Sequence, residues 1–266
     1  MPERVYSASG VQPAFRLYYS WTGWPEHSNW DLSAVPKIVE SLRHSCASDR
    51  LHFLEHRVSP ETLQVTFSAT PDICPVFLAG RAKGRLQHAL KGGNVGFPGF
   101  TRKLSVRSVG ENHRTDVENY IASQVHRSQF VDPGFQDLLR QFTVCCPEVD
   151  LSQPAETARG RYWYNLHLVL VTAHRYCVAD ARRLAILREW SFAIATKKGY
   201  LISRLSVMPD HLHACLRGDP DHSPRTIALA FQNNLAYALG QERIWEEGYY
   251  VGTFSEYNMD AIRRNR

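Results

Sequence analysis

Hydrophobic residues along the chain follow two spacings that alternate. The runs "LYYSWTGW" (17–24) and "HLVLVTAH" (167–174) have the composition of β-strands. The segments that follow them, "AVPKIVESLRHSC" (34–46) and "RLAILREWSFAIA" (183–195), have the three-to-four-residue spacing of amphipathic helices. This alternation predicts an α+β fold in which helices cover one face of a sheet.

These segments belong to an internal repeat. The stretch "VSPETLQVTFSATP" (58–71) aligns without a gap on "VMPDHLHACLRGDP" (207–220), 149 residues later, with Val, Pro, Leu and the final Pro in common. The matches continue in the same order in 77–90 over 226–239 and, at an offset of 145, in 105–120 over 250–265. The repeat predicts two similar halves. Each half is expected to contain a strand, a helix, a strand ending in a Pro-Glu or Pro-Asp turn, a second helix, a short strand and a last helix.

The repeat also predicts how the chain is divided. We expect the first half over 1–125, the second half over 161–266, and between them a linker over 126–160 that contains one helix at 134–142. With 266 residues, of which 44% are hydrophobic, the chain is long enough for one large domain or two small ones with a core.

Composition excludes some classes of protein. No apolar run approaches the roughly 20 residues of a membrane span, so we expect no contact with a membrane. The stretch "MPERVYSASG" at the start does not resemble a signal peptide. Six scattered cysteines without a Cys-x-x-Cys pair favour reduced thiols in the cytoplasm. A net charge of +5 is compatible with a polyanionic partner.

Two histidines are close together in the stretch "SVMPDHLHACL" (206–216). On a β-strand, His211 and His213 would project from the same face and present two imidazoles side by side. Such a pair is a candidate metal site, although a His-x-His pair is more often a surface feature or part of a hydrogen-bonded core. We interpret His167 in the preceding strand as a core histidine and Asp210 as a cap of the turn.

The string "VMPDHLHACL" (207–216) resembles the histidine strand of the single-tyrosine HUH transposases. That family includes the transposases of small hairpin-ended insertion sequences and the REP-associated tyrosine transposases. The stretch "YNLHLVLVTAHRY" (164–176) is similar to the first strand of the family, and "IWEEGYYVGTFSEYNMDAIRR" (244–264) to the segment that leads to its catalytic helix. The resemblance covers about 160–266 directly and the first half only through the repeat.

The resemblance implies a mechanism and a cofactor. In the family, two histidines and a glutamine hold a divalent metal, Mg²⁺ or Mn²⁺, and a tyrosine attacks a phosphodiester of single-stranded DNA near a hairpin. The tyrosine becomes attached to the 5′ phosphate and leaves a free 3′ hydroxyl. In this chain the metal-binding histidines would be His211 and His213.

The nucleophile is missing where the resemblance places it. The family pattern Tyr-x-x-x-Gln should follow "MDAIRR", but the second half has Asn265 there. In the first half, Tyr120 aligns with Asn265, and Gln124 follows four residues later on the same face of a helix. The first half in turn lacks the histidines, because Thr62 and Gln64 take their positions.

We therefore expect one active site that combines both halves. The resemblance implies a symmetric dimer in which the tyrosine helix of one subunit acts together with the histidines of the other. A tandem duplication would convert such a dimer into one chain. Tyr120 would be the nucleophile, and Gln124 would complete the metal site of His211 and His213. The expected fold is α+β: two ferredoxin-like halves with antiparallel sheets, arranged as a pseudo-twofold single-chain dimer that acts as a monomer.

Basic residues are candidates for contacts with the DNA backbone, which would make binding salt-dependent. They are Arg81, Lys83, Arg85, Arg102, Lys103, Arg107, Lys197 and Lys198. The default interpretation of each is a solvated surface residue. Two other functions stay open: a retired transposase that only binds hairpin DNA, and an RNA-binding protein on the same scaffold.

Overall fold

The computed structural model describes residues 5–127, 132–240, 243–257 and 259. The strands are β1 Gln12–Arg16, β2 Tyr18–Pro25, β3 Leu51–Val58, β4 Leu63–Ala69, β5 Phe100–Val109, β6 Thr143–Cys145, β7 Ala155–Glu156, β8 Gly160–Trp163, β9 Asn165–Val171, β10 Leu201–Val207, β11 His211–Arg217 and β12 Gly248–Thr253. The helices are α1 Val35–Ser41, α2 Arg43–Ser48, α3 Pro75–Gly92, α4 Arg114–Ala122, α5 Gln124–Arg127, α6 Pro133–Arg140, α7 Ala181–Lys198 and α8 Pro224–Ala238. All six cysteines are free. Within the described ranges, no helix has the length and apolar character needed to cross a membrane.

The described strands form two sheets of six. The first sheet has the order β3-β4-β2-β5-β8-β7, and the second has the order β1-β12-β9-β11-β10-β6. Four strands of each sheet match one another in order and are antiparallel throughout: β3-β4-β2-β5 in the first and β10-β11-β9-β12 in the second. The predicted α+β class is confirmed.

Helices cover one face of each sheet, α1 to α3 on the first sheet and α7 and α8 on the second. Side chains alternate along β9, so Leu166, Leu168 and Leu170 are fully buried under the helices, whereas His167 lies on the other face. We call this other face of the second sheet the histidine face. One continuous hydrophobic core includes buried residues from both sheets.

Local capping chemistry fixes the ends of the helices that cover the second sheet. The side chain of Asp180 accepts a hydrogen bond from the backbone at the start of α7, and Gly199 ends this helix at φ 72°, in the left-handed region that favours glycine. The side chain of Ser223 caps α8, and Pro224 occupies its first turn. These caps position the strands that follow and precede the helices.

The repeat is visible in details of the backbone. A β-bulge lies between Phe53 and Glu55 in β3 and between Ile202 and Arg204 in β10. The two bulges are 149 residues apart, which is the offset of the sequence repeat. A bulge bends a strand at a defined position, so the two halves share the same local bend.

Backbone contacts between the halves are reciprocal. The N–H of Val76, at the start of α3, donates to the carbonyl of Pro220 at 3.2 Å. The N–H of Arg225, at the start of α8, donates to the carbonyl of Pro71 at 2.7 Å. Each donor and each acceptor lies 149 residues from its counterpart, so the two contacts follow the offset of the sequence repeat.

The halves also exchange strands. Strand β1 directly precedes β2 of the first sheet, yet it pairs in parallel with β12 of the second sheet. Strand β8 directly precedes β9 of the second sheet, yet it pairs in parallel with β5 of the first sheet. Each sheet is thus completed by a strand from the other half.

The segments after β5 and β12 cross each other. The N–H of Arg114 donates to the carbonyl of Ser255 at 2.8 Å, and the N–H of Met259 donates to the carbonyl of Gly110 at 2.9 Å. The backbones approach so closely that a Cβ atom at Gly110 would lie 2.8 Å from the Cα atom of Phe254. The crossing carries α4 onto the histidine face, where it contacts β10 and β11.

Some elements differ from the prediction. The Pro-Asp turn joins two adjacent strands, β10 and β11, in a hairpin, and the predicted helix over 34–46 is broken at Leu42. The helix predicted at 134–142 is α6. The region 126–160 also contributes β6 to the second sheet and β7 to the first. The predicted domain boundaries stay a prediction.

Candidate active site

The turn between β10 and β11 places two histidines at the start of β11. The N–H of Met208 donates to the carbonyl of His211 at 2.8 Å and closes the hairpin. Because side chains alternate along a strand, His211 and His213 lie on the histidine face, while Leu212 is fully buried on the other. The centres of the two imidazole rings are 4.8 Å apart, and the ring planes are at 88°.

A carboxylate orients the first of these rings. Nδ1 of His211 lies 2.6 Å from Oδ1 of Asp210, and the other carboxylate oxygen, Oδ2, accepts a hydrogen bond from Arg175 at 2.9 Å. Burial raises the pKa of Asp210, but its contacts with His211 and Arg175 outweigh burial and hold the pKa below its usual value. A carboxylate only accepts, so Nδ1 of His211 carries a proton and Nε2 is left for another partner. The interpretation of Asp210 as a turn cap missed this contact.

A third histidine orients the second ring. Nδ1 of His213 lies 3.0 Å from Nε2 of His167 on β9. Burial, followed by the neighbouring His167 and His211, lowers the pKa of His213 to about 2, and burial lowers the pKa of His167 to about 4. Both rings are therefore neutral at neutral pH, which is the form in which imidazole binds a metal. With Nδ1 engaged, His213 also has Nε2 left for another partner.

Helix α4 packs against the histidine face at this point. Val117 and Ile121 lie in a small hydrophobic cluster with Cys215 of β11. On the same side of the helix, the carboxylate of Glu118 accepts a hydrogen bond from the hydroxyl of Ser203 at 2.9 Å. Ser203 lies at the bulge of β10, so an irregularity of the strand provides the contact that holds the helix.

Tyr120 of α4 reaches the histidines of the other half. Its ring centre lies 5.5 Å from that of His213 and 6.2 Å from that of His167, with ring planes at 89° and 71°. The side chain of Tyr120 is 38% exposed, so an incoming strand has access to it. The structure therefore brings together Tyr120 and His213, two of the predicted site residues.

Gln124 and Arg127 flank the tyrosine. Gln124 is buried, and its Nε2 donates to the carbonyl of Tyr120 at 3.1 Å across the break at Ser123 between α4 and α5. The guanidinium of Arg127 lies 5.0 Å from the centre of the Tyr120 ring. Sequence reasoning missed Arg127, because a break between two helices decides where that side chain lies.

The side chains at this site meet the ligand requirements of a divalent metal only in part. The described residues include no group of three or more His, Cys, Asp and Glu side chains placed to hold one ion. They do include two imidazoles, of His211 and His213, on one strand face with Nδ1 engaged and Nε2 remaining in each. An amide oxygen such as that of Gln124 is a chemically suitable third ligand for Mg²⁺ or Mn²⁺, with positions left for a phosphate.

The matching place in the first half holds no imidazole. Gln64, which aligns with His213, donates from Nε2 to the hydroxyl of Ser20 at 2.7 Å. The register of the strands makes Ser20 the counterpart of His167, so a Gln–Ser hydrogen bond replaces the pair of histidines. The hydroxyl of Thr62, which aligns with His211, lies 2.9 Å from that of a neighbouring serine. Asn265 lies outside the described residues.

Half of the predicted DNA-backbone residues have protein partners. Arg81 and Arg85 lie 3.9 and 2.5 Å from the carboxylate of Asp49. Lys83 donates to a backbone carbonyl of β5 at 2.7 Å, and the guanidinium of Arg107 lies 3.8 Å from the centre of an indole ring of β8. The exposed members of the set are Arg81, Arg102, Lys103, Lys197 and Lys198. Their contact with DNA stays a prediction.

Residues 161–264 match the family model of the IS200-like transposases. The second half of the chain is therefore similar to a family of transposases. No curated protein matches the chain.

Two solved structures are similar to part of the chain. One is a candidate transposase from Deinococcus radiodurans R1, with 25% identity over 38% of this chain and 86% of the other, at a TM-score of 0.33. The other is a REP-associated tyrosine transposase bound to a REP hairpin, with 18% identity over 38% of this chain and 61% of the other, at a TM-score of 0.31.

Proposed function

We propose that the protein nicks and rejoins single-stranded DNA, in or beside a hairpin, at one composite active site. Tyr120 from the first half is the nucleophile, and His211 and His213 from the second half bind the metal. The observation that carries this proposal is the distance of 5.5 Å between the ring centres of Tyr120 and His213, which are 93 residues apart in the sequence.

Mg²⁺ or Mn²⁺ would be held by His211, His213 and the side-chain oxygen of Gln124. The bound ion would polarise the scissile phosphate and neutralise the charge that develops on it. Asp210 and His167 hold the two rings through Nδ1, and both rings offer Nε2. Partners of this kind fix the tautomer and orientation of a metal-binding histidine.

The nucleophilic step transfers a phosphoryl group to the protein. The phenol oxygen of Tyr120 attacks the phosphorus atom, and the bond between phosphorus and the 3′ oxygen breaks. The phenol proton ends on the released 3′ hydroxyl, and the 5′ phosphate stays on the tyrosine. The 3′ hydroxyl of the same or another strand reverses the step and rejoins the DNA. Arg127, beside the Tyr120 ring, is close enough to contact the phosphate.

The whole chain would correspond to a fused dimer with one working site. Matching strand orders, exchanged strands and reciprocal hydrogen bonds support a pseudo-twofold relation between the halves. Thr62 and Gln64 occupy the histidine positions in the first half, and neither side chain has an imidazole to bind a metal. A protein with one nucleophile holds one cleaved end at a time, so excision of an element would need sequential steps or a second chain.

A nicking assay tests this function. Single-stranded hairpin oligonucleotides labelled at the 3′ end are incubated with Mn²⁺, and the label that stays attached to the denatured protein is measured. We expect labelled protein from the native chain and none, a loss of at least about a thousandfold, from Tyr120→Phe or His211→Ala. Tyr237→Phe is the matched control, because Tyr237 is 64% exposed and remote from the histidines.

Two results would contradict the proposal. One is a covalent adduct that still forms in Tyr120→Phe, and the other is normal cleavage in His211→Ala. Binding of hairpin DNA without any nicking in Mn²⁺ or Mg²⁺ would instead support the retired DNA-binding protein.

A further inference from the structure

A hollow opens on the histidine face beside His167. Gly252 of β12 pairs with His167, and Arg16 of β1 pairs with Gly252, so these three residues form one row across the sheet. Tyr250 lines the hollow two residues from Gly252, and Val117 of α4 closes its upper side. The floor is therefore a row of the second sheet, and the upper side is the tyrosine helix of the first half.

The hollow lies next to the proposed site of cleavage. Val117 is one turn before Tyr120 on α4. Strand β12 is two strands away from β11 in the sheet, which puts the hollow on the order of 10 Å from His213. A base that belongs to a nucleotide beside the scissile phosphate is within this reach.

The equivalent place in the other half is filled. Arg107 takes the position of Gly252, at the offset of 145, and its guanidinium lies 3.8 Å from the centre of the Trp163 ring and 5.3 Å from that of Tyr257. At position 252 a Cβ atom would lie 2.4 Å from the hydroxyl oxygen of Tyr250. The glycine thus makes room for the Tyr250 side chain beside the histidines, at the position that an arginine takes in the half without them.

The hollow is lined by an aromatic ring and by an ion pair whose two side chains can form hydrogen bonds with a ligand. Tyr250 provides the aromatic surface, and its ring centre is 5.7 Å from that of His167. Arg16 and Glu111 form an ion pair at the outer edge, and the hydroxyl of Tyr18 lies 3.4 Å from Glu111. A flat ligand that stacks on Tyr250 would meet a carboxylate and a guanidinium along one edge.

We infer that this hollow binds one guanine base of the DNA strand, next to the nucleotide that is cut. Guanine alone among the bases presents two adjacent donors, N1–H and the N2 amino group, for both oxygens of a carboxylate such as Glu111. Its O6 acceptor lies beside them and suits the guanidinium of Arg16. Stacking on Tyr250 would hold the base of an unpaired nucleotide. The inference rests on the proposed function, because it assigns the hollow to the DNA that Tyr120 cuts.

Equilibrium binding of defined oligonucleotides tests the inference. The probes are fluorescent dT15 and the same strand with one central dG, dI or dA, measured by anisotropy with the Tyr120→Phe protein and without metal. We expect the dG strand to bind roughly tenfold more tightly than dT15. The dI strand, which lacks the N2 amino group, should lose part of that gain.

Variants of the hollow should remove the preference without removing binding. Glu111→Gln and Gly252→Ala, which would push Tyr250 aside, are expected to bring the dG strand to the affinity of dT15. Glu256→Gln is the matched control, because Glu256 is the counterpart of Glu111 in the filled half, and it should keep the preference. Equal affinities for all four strands, or a dG preference that survives Glu111→Gln, would overturn the inference.

The outcomes also separate this inference from the proposed function. If the protein prefers the dG strand but never nicks DNA, the assignment of the hollow to guanine stands and the proposed nicking activity is refuted. Nicking without a dG preference would refute only the hollow. Free dGMP that binds as tightly as the dG strand would overturn the assignment to a DNA strand.

Discussion

The two nitrogens of a histidine ring have different tasks in the candidate site. Sequence spacing predicts that His211 and His213 share a strand face, because that follows from the two-residue period of a strand. It cannot predict that Nδ1 of each ring is engaged, by Asp210 in one case and by His167 in the other, since these contacts depend on a neighbouring strand and a turn. The interpretation of His167 as a plain core histidine therefore missed its partner.

The contact between His167 and His213 leads to a prediction about metal affinity. Replacing His167 by Leu removes the group that orients His213, so Mn²⁺ binding should weaken roughly 10–100-fold. Electron paramagnetic resonance of free Mn²⁺ measures this in the absence of DNA. His222→Gln is the control, because that ring contacts Tyr200 elsewhere in the second half. An unchanged affinity in His167→Leu would show that His167 has no part in positioning His213.

At the scale of elements, helix α4 decides whether a site exists. The sequence predicts an amphipathic helix before Gln124, but a hydrophobic stripe does not specify which sheet it covers. The reciprocal crossing at Gly110 and Ser255 carries the helix to the other half, where Val117 and Ile121 pack on Cys215. The exchanged strands β1 and β8 could not be predicted either, because pairing at a sheet edge is a long-range contact.

The docking of α4 is testable through Glu118. Glu118→Ala removes the hydrogen bond to Ser203, so the free energy of local opening of α4 should fall by about 2 kcal/mol. Hydrogen exchange of residues 114–122 should then be roughly thirtyfold faster, while β9 and β11 keep their protection. Asn119→Ala, on the exposed side of the same helix, is the control. Equal exchange in both variants would show that the Glu118 contact does not hold the helix.

At the scale of the whole molecule, the chain contains two four-stranded units of the same strand order with different candidate site residues. One half retains the histidines, and the other retains the tyrosine and the glutamine. The repeat in the sequence predicts two similar halves, because the same hydrophobic pattern specifies the same packing. Each sheet also includes a strand from the other half, and the division at 126–160 stays a prediction.

The most direct measurement is the position of the covalent bond between protein and DNA. The protein is incubated with hairpin DNA and Mn²⁺, digested, and the nucleotide-bearing peptide is identified by mass spectrometry. We predict a single adduct on Tyr120 that is lost in His213→Ala. Tyr250 is the informative alternative, because it lies in the same half as the histidines and its ring centre is 5.7 Å from that of His167. An adduct on Tyr250, or on Tyr120 in the His213→Ala protein at the native level, would contradict a site shared by the two halves.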